Sequence, residues 1–302
     1  GSIRIYNPTK DHLDSLLTTS AHASPIKSLV SSNLSHDQML IATGSLDHKL
    51  MLHRYHASTN LLEVQAELTE GHTSTVGAIT IPQNDTNIMA SGDWDGGVCI
   101  WKITPTSDTE PTKRRKSSQS TKVVTATNCK PVTTMPDAHG GQISGAAWKQ
   151  DSLVTGSWDH SIKVWNVERQ DCLLSLNGSR VVSCLALSSH SSDVVATGHP
   201  DCTVRLWDVR TDGAQETSLV SDSSLKPSHK AWVSGVQWSP INPYLLASTS
   251  YDGTLKLWDI RSSVPLHTVR TQAKGQKNLC LAYGDQVIYT GGTDCIVKQY
   301  LS

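Results

Sequence analysis

His229, Ser248 and Asp252 supply the three side-chain types of a hydrolytic triad: a base, a hydroxyl nucleophile and a carboxylate to orient the base. The same set recurs as His72, Ser91 and Asp95, and with threonine as His139, Thr155 and Asp159. A nucleophile needs an exposed hydroxyl, a base within hydrogen-bond reach and donors for an oxyanion. One catalytic centre has no need of three copies, and each copy here is accompanied by a tryptophan, Trp101, Trp165 or Trp258. A buried aspartate must be paired, and a chain from carboxylate through imidazole and hydroxyl to indole satisfies every member. These groups are therefore read as networks that specify the fold, and the chain is read as a non-enzyme. No P-loop, GxGxxG or paired-carboxylate pattern is present, and none of the thirteen histidines stands with cysteine at zinc spacing. No metal and no cofactor is expected.

The elements that position these residues are hairpins. Residues 153–167 (LVTGSWDHSIKVWNV) read as an alternating strand, a tight turn and a second alternating strand. The unit recurs at 40–55, 88–103, 194–209, 245–260 and 287–301. An aspartate sits in each turn: Asp47, Asp95, Asp159, Asp201, Asp252 and Asp294. Six residues later comes a ring: His53, Trp101, Trp165, Trp207, Trp258 or Tyr300. Histidines 22, 72, 139 and 229 each precede a further short apolar strand, whereas the units headed by Val181 and Lys277 lack one. Residues 1–6 (GSIRIY) match 253–258 (GTLKLW), with Tyr6 in the ring position, so the first unit is read as truncated at its N-terminus; a tag remnant at Gly1-Ser2 is the bland alternative.

The ring positions recur every 42 to 51 residues, except for 64 between Trp101 and Trp165. That interval contains a Ser-, Thr-, Pro- and Lys-rich stretch at about 104–134, read as a solvated insertion between third and outer strands. A second polar insertion is expected at 211–227. Net charge is −1, which argues neither for nor against nucleic acid. No apolar run reaches the roughly 18 residues of a membrane span. The seven cysteines form no CxxC pair and are read as reduced, buried thiols in a reducing compartment.

The Gly71-His72, Trp207-Asp208 and Trp258-Asp259 pairs, with Ser or Thr and Asp between them, resemble the WD-repeat β-propeller family. The resemblance covers nearly the whole chain. A four-stranded blade of that type takes about 40–45 residues. Seven third strands imply an all-β, seven-bladed ring over residues 1–302 as one domain, its first blade truncated. The strand that closes such a ring is unaccounted for. The repeated Trp, Ser/Thr, His and Asp resemble the family's structural tetrad.

In such a ring the residues just before the turn aspartates circle one face. Here they are Leu46, Trp94, Trp158, Pro200, Tyr251 and Thr293. Large rings at exposed turns are binding anchors. Trp94, Trp158, Trp232 and Tyr251, with Lys230 and Arg180 as polar company, are the candidate partner-binding residues. The alternative is that each ring packs on its neighbour. The opposite end, around 259–263, reads as solvated surface. Lys113, Arg114, Arg115 and Lys116 form a basic run that reads as a nuclear-import signal or as a solvated loop.

Within the WD-repeat family, the GSWDHSIKVWNVE and SYDGTLKLWDIRS runs, a KRRK insertion and a SIRIYN start are similar to the WD-repeat subunits of the PeBoW ribosome-biogenesis complex. That resemblance implies a non-catalytic scaffold in 60S subunit assembly and pre-rRNA processing. It implies binding to the block-of-proliferation propeller protein and pre-60S particles in the nucleus and nucleolus. It implies contact with the ATPase midasin only through an N-terminal ubiquitin-like domain, absent from these residues. Direct RNA contact is left open. The alternative is a substrate receptor of a ubiquitin ligase or a chromatin adaptor.

Overall fold

Period-two patterning is realised as strands throughout. A computed structural model describes residues 1–8, 13–103, 130–191, 193–210, 229–262 and 264–301. They form 24 strands, and no helix occurs among the described residues, hence none long and apolar enough to cross a membrane. The contacts divide into two compact units.

The first unit comprises Gly1–Ser91 and Val98–Thr134. Its first two strands, β1 (Ser2–Pro8) and β2 (Leu13–Ser20), pair as a two-stranded ribbon. A four-stranded antiparallel meander follows: β3 (Ile26–Asn33), β4 (Gln38–Ser45), β5 (Leu50–His56) and β6 (Leu61–Leu68). The next sheet is β7 (Val76–Thr80), β8 (Ile88–Asp93), β9 (Val98–Lys102) and β10 (Thr133–Met135).

The second unit comprises Gly92–Gly97 and Met135–Ser302. Its strands β11 (Ile143–Lys149), β12 (Ser152–Ser157), β13 (Ser161–Asn166) and β14 (Asp171–Asn177) form one sheet. A three-stranded sheet holds β15 (Cys184–Leu187), β16 (Val194–Gly198) and β17 (Val204–Asp208). A four-stranded sheet holds β18 (Val233–Trp238), β19 (Leu245–Ser250), β20 (Thr254–Asp259) and β21 (Pro265–Arg270). The last, three-stranded, holds β22 (Asn278–Tyr283), β23 (Val287–Gly292) and β24 (Val297–Leu301).

Seven blades were expected, the first of them truncated. The described residues show six sheets of three or four strands and one two-stranded ribbon. Residues 211–228, which follow β17, lie outside the described residues, and β1 and β2 pair only with each other.

Second strands are buried on both faces (β12 and β19 nearly throughout), which is why they read as continuous apolar or small residues. Outer strands such as β14 and β21 are mostly exposed. In the second unit the first strands β11, β15, β18 and β22 pack side by side in succession; in the first, β3 packs on β7. Close approach needs a small residue there: a Cβ on Gly198 would lie 2.5 Å from Val233 Cγ1. Hydroxyls also tie neighbours together. Ser144 donates to the Val182 carbonyl at 2.6 Å, Ser183 to Val233 at 2.7 Å, and Ser28 to Val76 at 3.1 Å.

The pairing of third to outer strand slips at Ile5/Tyr6, Leu52/His53, Val164/Trp165 and Leu257/Trp258. Each slip falls at the ring position, where a bulge re-aims the side chain. Tyr6 shares it, in agreement with the match of residues 1–6 to a third strand. The residue after each turn aspartate is left-handed. Gly96 and Gly253 accept this freely, but His48, His160, Cys202 and Cys295 adopt it too, with φ of 60 to 74°.

The thiols differ from expectation. Among the described residues six cysteines are free and only Cys99 is buried, whereas Cys172, Cys280 and Cys295 are exposed, because they sit on outer strands, edges and turns rather than in sheet centres. Cys129, the stretch 104–129 and the basic run Lys113–Lys116 lie outside the described residues. β10 begins at Thr133, inside the bounds expected for the insertion.

Candidate partner-binding surface

The triad-like groups resolve into buried chains of hydrogen bonds. Trp165 Nε1 donates to Thr155 Oγ1 at 2.8 Å, His139 Nε2 lies 2.6 Å from the same oxygen, and His139 Nδ1 lies 3.0 Å from Asp159 Oδ2. A proton on Nδ1 directed at the carboxylate leaves Nε2 to accept from threonine. The Asp252 repeat follows with one change: Trp258 Nε1 to Ser248 at 2.8 Å and His229 Nε2 to Ser248 at 2.7 Å, but His229 Nδ1 lies 3.1 Å from Thr254 Oγ1 and 3.4 Å from Asp252. In the repeat before β11, Trp101 Nε1 and His72 Nε2 converge on Ser91 at 2.7 and 2.6 Å. Asp95 lies on that repeat's exposed turn, and the buried carboxylate beside it is Asp93, which accepts the N–H groups of Asp95 and Gly97.

Burial pushes the His139 pKa down to about 4, against the raising influence of Asp159. Burial alone would raise Asp159. The Ser161 hydroxyl and N–H, the His139 charge and the Gly140 N–H together outweigh it and hold the carboxyl at about 2. Thr155 and Ser248 are completely buried, and each accepts from an indole, so neither hydroxyl can meet a substrate.

Two repeats fill the histidine place in ways the sequence reading missed, and a third departs at its ring. His22, set before its strand like His72, His139 and His229, bridges Thr43 Oγ1 at 2.9 Å and Asp47 at 3.0 Å, but the ring position holds His53, whose two nitrogens have no hydrogen-bond partner. Beside Trp207, His199 comes from the strand end itself: its Nε2 lies 2.8 Å from Thr197, and its Nδ1 donates to the Val181 carbonyl at 2.8 Å. In the last repeat Gln272 is buried where the histidine should be; its N–H donates to the Gly253 carbonyl as that of His139 does to Gly96.

The turns carry the surface chemistry. Asp159 and Asp252 each bind the backbone two residues on, fixing the turn, and the residue before each faces outward. Trp158 is 41 % exposed and Trp232 44 % exposed. They meet edge-on, centroids 6.3 Å apart at 70°, and Trp232 stacks on Tyr251 at 6.3 Å and 8°. The N–H of Tyr251 donates to the Trp232 carbonyl, locking the two loops. Lys277, absent from the sequence candidates, places Nζ 4.9 Å from the Tyr251 centroid. The three rings pack on one another, with Trp158 and Trp232 exposed and Tyr251 half-buried. Lys230 is exposed beside them, its N–H bound to Asp252. Trp94 is half-buried in its turn. Arg180 instead lies 3.5 Å from Asp201, beside the Arg205–Asp201 pair.

The opposite loops are not the uniformly polar surface expected. Arg261 pairs with Asp259 at 2.6 Å but also lies over the Tyr244 ring at 4.3 Å, and Ile241 is exposed. No group of three or more His, Cys, Asp or Glu that could hold a metal occurs among the described residues.

Comparison with known proteins places the repeats. The family WD domain, G-beta repeat matches residues 13–54, 63–102, 129–166, 170–208 and 222–259. A protein of Oryza sativa subsp. japonica named ribosome biogenesis protein WDR12 homolog is 29 % identical over 267 residues, covering 85 % of this chain and 59 % of its own length. Proteins of the same name from Culex quinquefasciatus and Aedes aegypti are 31 % and 30 % identical, each over 95 % of this chain and 65 % of their own length. The chain thus spans roughly three-fifths to two-thirds of these curated relatives. With tetrads, turn aspartates and family matches recurring over more than half of its length, the chain belongs to the WD domain, G-beta repeat family, and its fold is an all-β WD-repeat β-propeller.

Proposed function

We propose that the protein is a non-catalytic scaffold of large-subunit ribosome assembly and pre-rRNA processing, acting in the nucleolus and nucleoplasm by holding a protein partner on the face that carries Trp158, Trp232 and Tyr251. The observation that carries this is the ring cluster: the exposed indoles of Trp158 and Trp232 and the half-buried Tyr251, from three loops and not required by any tetrad. Such rings desolvated at an interface centre contribute about 2 kcal/mol or more each. The names of the relatives support the process. The partner is the block-of-proliferation propeller protein of the PeBoW complex, within pre-60S particles. The repeats close as one domain of seven blades, with the β1–β2 ribbon supplying part of a blade, and the Asp–His–Ser/Thr–Trp chains are structural. The run Lys113–Lys116 directs nuclear import.

Affinity for the block-of-proliferation subunit, measured for Trp158→Ala and Tyr251→Ala after each is shown to fold, tests the reading. A loss of about thirtyfold is expected. If both variants bind within about twofold of the parent while charge reversal at Asp259 and Arg261 abolishes binding, the partner sits on the opposite end. Recovery of ligase subunits or histones rather than pre-60S proteins from nuclear extract would replace the assembly role by that of a receptor or adaptor.

A further inference from the structure

The electrostatics of the ring cluster go further than its exposure. Two turn carboxylates lie next to the rings in sequence, and both are used up internally. Asp159 accepts from Gly140 N, Ser161 N, Ser161 Oγ and His139, and Asp252 from Lys230 N, Thr254 N and Thr254 Oγ1, with His229 beside it. Their side chains are only 18 % and 10 % exposed. The ammonium groups of Lys230 and Lys277 are exposed and form no ion pair among the described residues. The cluster therefore presents apolar ring surface with unneutralised positive charge.

We propose that this site takes an acidic peptide segment of a protein partner, an apolar anchor seated in the corner between Trp158 and Trp232 and flanking carboxylates on Lys230 and Lys277. The inference rests on the reading of this face as the partner site. The 70° angle between the two indoles makes a corner rather than a flat platform. A cationic ligand in that corner meets two like charges, which disfavours it. Single-stranded RNA needs open ring faces for successive bases. Here one face of Tyr251 is taken by Trp232 and the ring is capped by Lys277. Backbone-held nucleic acids also engage about 6–10 phosphates, against two lysines here.

The test is a titration of the whole chain, by calorimetry and indole fluorescence, with a short synthetic peptide of Asp and Glu around one central Leu. The same peptide with Lys for the acidic residues, and oligouridylate, serve as comparisons. The acidic peptide should bind best. Lys230→Glu with Lys277→Glu should weaken it about tenfold or more, and Trp158→Ala should abolish it, with the melting temperature unchanged in both variants. Absence of binding by the acidic peptide, tighter binding of the basic peptide or of oligouridylate, or indifference to the lysine reversals overturns the proposal. Capture of the block-of-proliferation subunit by the same variants separates the two readings. Loss with Trp158→Ala alone retains the partner face and rejects its acidic ligand, whereas retention by every variant rejects both.

Discussion

Acidification to about pH 5 should unfold this protein through its buried imidazoles. Burial lowers His53, His139 and His199 to about 4 each, and it lowers His229 as well. In the unfolded chain a histidine titrates near 6.5. A histidine kept neutral by the fold binds a proton more readily when unfolded, so its contribution is fully present above about pH 6.5 and is lost as pH falls toward 4. At pH 5 each of the three favours the unfolded state by about 2 kcal/mol, together about 6 kcal/mol, against a typical domain stability of about 5–15 kcal/mol. Asp159 does not offset this: its depressed pKa of about 2 contributes stability that is lost only below the usual carboxylate range. The assay is urea unfolding followed by tryptophan fluorescence at a series of pH values. The midpoint should fall steeply between pH 6.5 and 5, with a linked uptake of about three protons. A stability constant to within about 1 kcal/mol over that window would refute the argument. So would a loss confined to pH below 4, which would assign the transition to carboxylates.

Asp159→Ala leaves His139 Nδ1, Ser161 and Gly140 N short of an acceptor and should cost about 1–3 kcal/mol, read as a lower melting temperature; no change would mean the network is dispensable there. His53→Trp should gain about 1 kcal/mol by giving Thr43 an indole donor and removing two unpartnered nitrogens, and it should reduce the pH-linked proton uptake by about one. A lower melting point would show that the site is too small for an indole. Neutral residues at Lys113–Lys116 should slow nuclear entry of the full-length protein without altering its melting curve, since solvated insertions lie outside the core; normal nuclear accumulation without a partner would reject the import role.

The strands and tetrads were readable because their signals are local and repeated. An aspartate at a fixed place in six turns, with a ring six residues on, needs no knowledge of neighbours. His199 escaped because it reaches Thr197 from only two residues away, replacing a loop histidine by a strand-end one with the same hydrogen-bond geometry. Gln272 escaped because only its backbone bond to Gly253 marks its place. Lys277 above Tyr251 joins two repeats, and Arg261 above Tyr244 joins two loops of one repeat; each depends on how loops fold back rather than on spacing. The exposure of Cys172, Cys280 and Cys295 was hidden because count and spacing carry no information on whether a thiol lies on an outer strand, a sheet edge or a turn.

In the Asp159 turn a carboxylate that is 18 % exposed directly follows an indole that is 41 % exposed, and in the Asp252 turn a carboxylate bound to the backbone follows the ring of Tyr251. Within this single chain the aspartate is the same in all six turns, while the preceding position holds Leu46, Trp94, Trp158, Pro200, Tyr251 or Thr293. One position in such a turn thus answers to the turn's own hydrogen bonds, and its neighbour does not. A lineage that changes partners can rewrite the second without testing the first, one turn at a time, and duplicated repeats multiply the positions at which it can do so. The number of distinct surfaces open to such a face grows as a product over turns, while the hydrogen bonds that each aspartate makes within its turn are left in place.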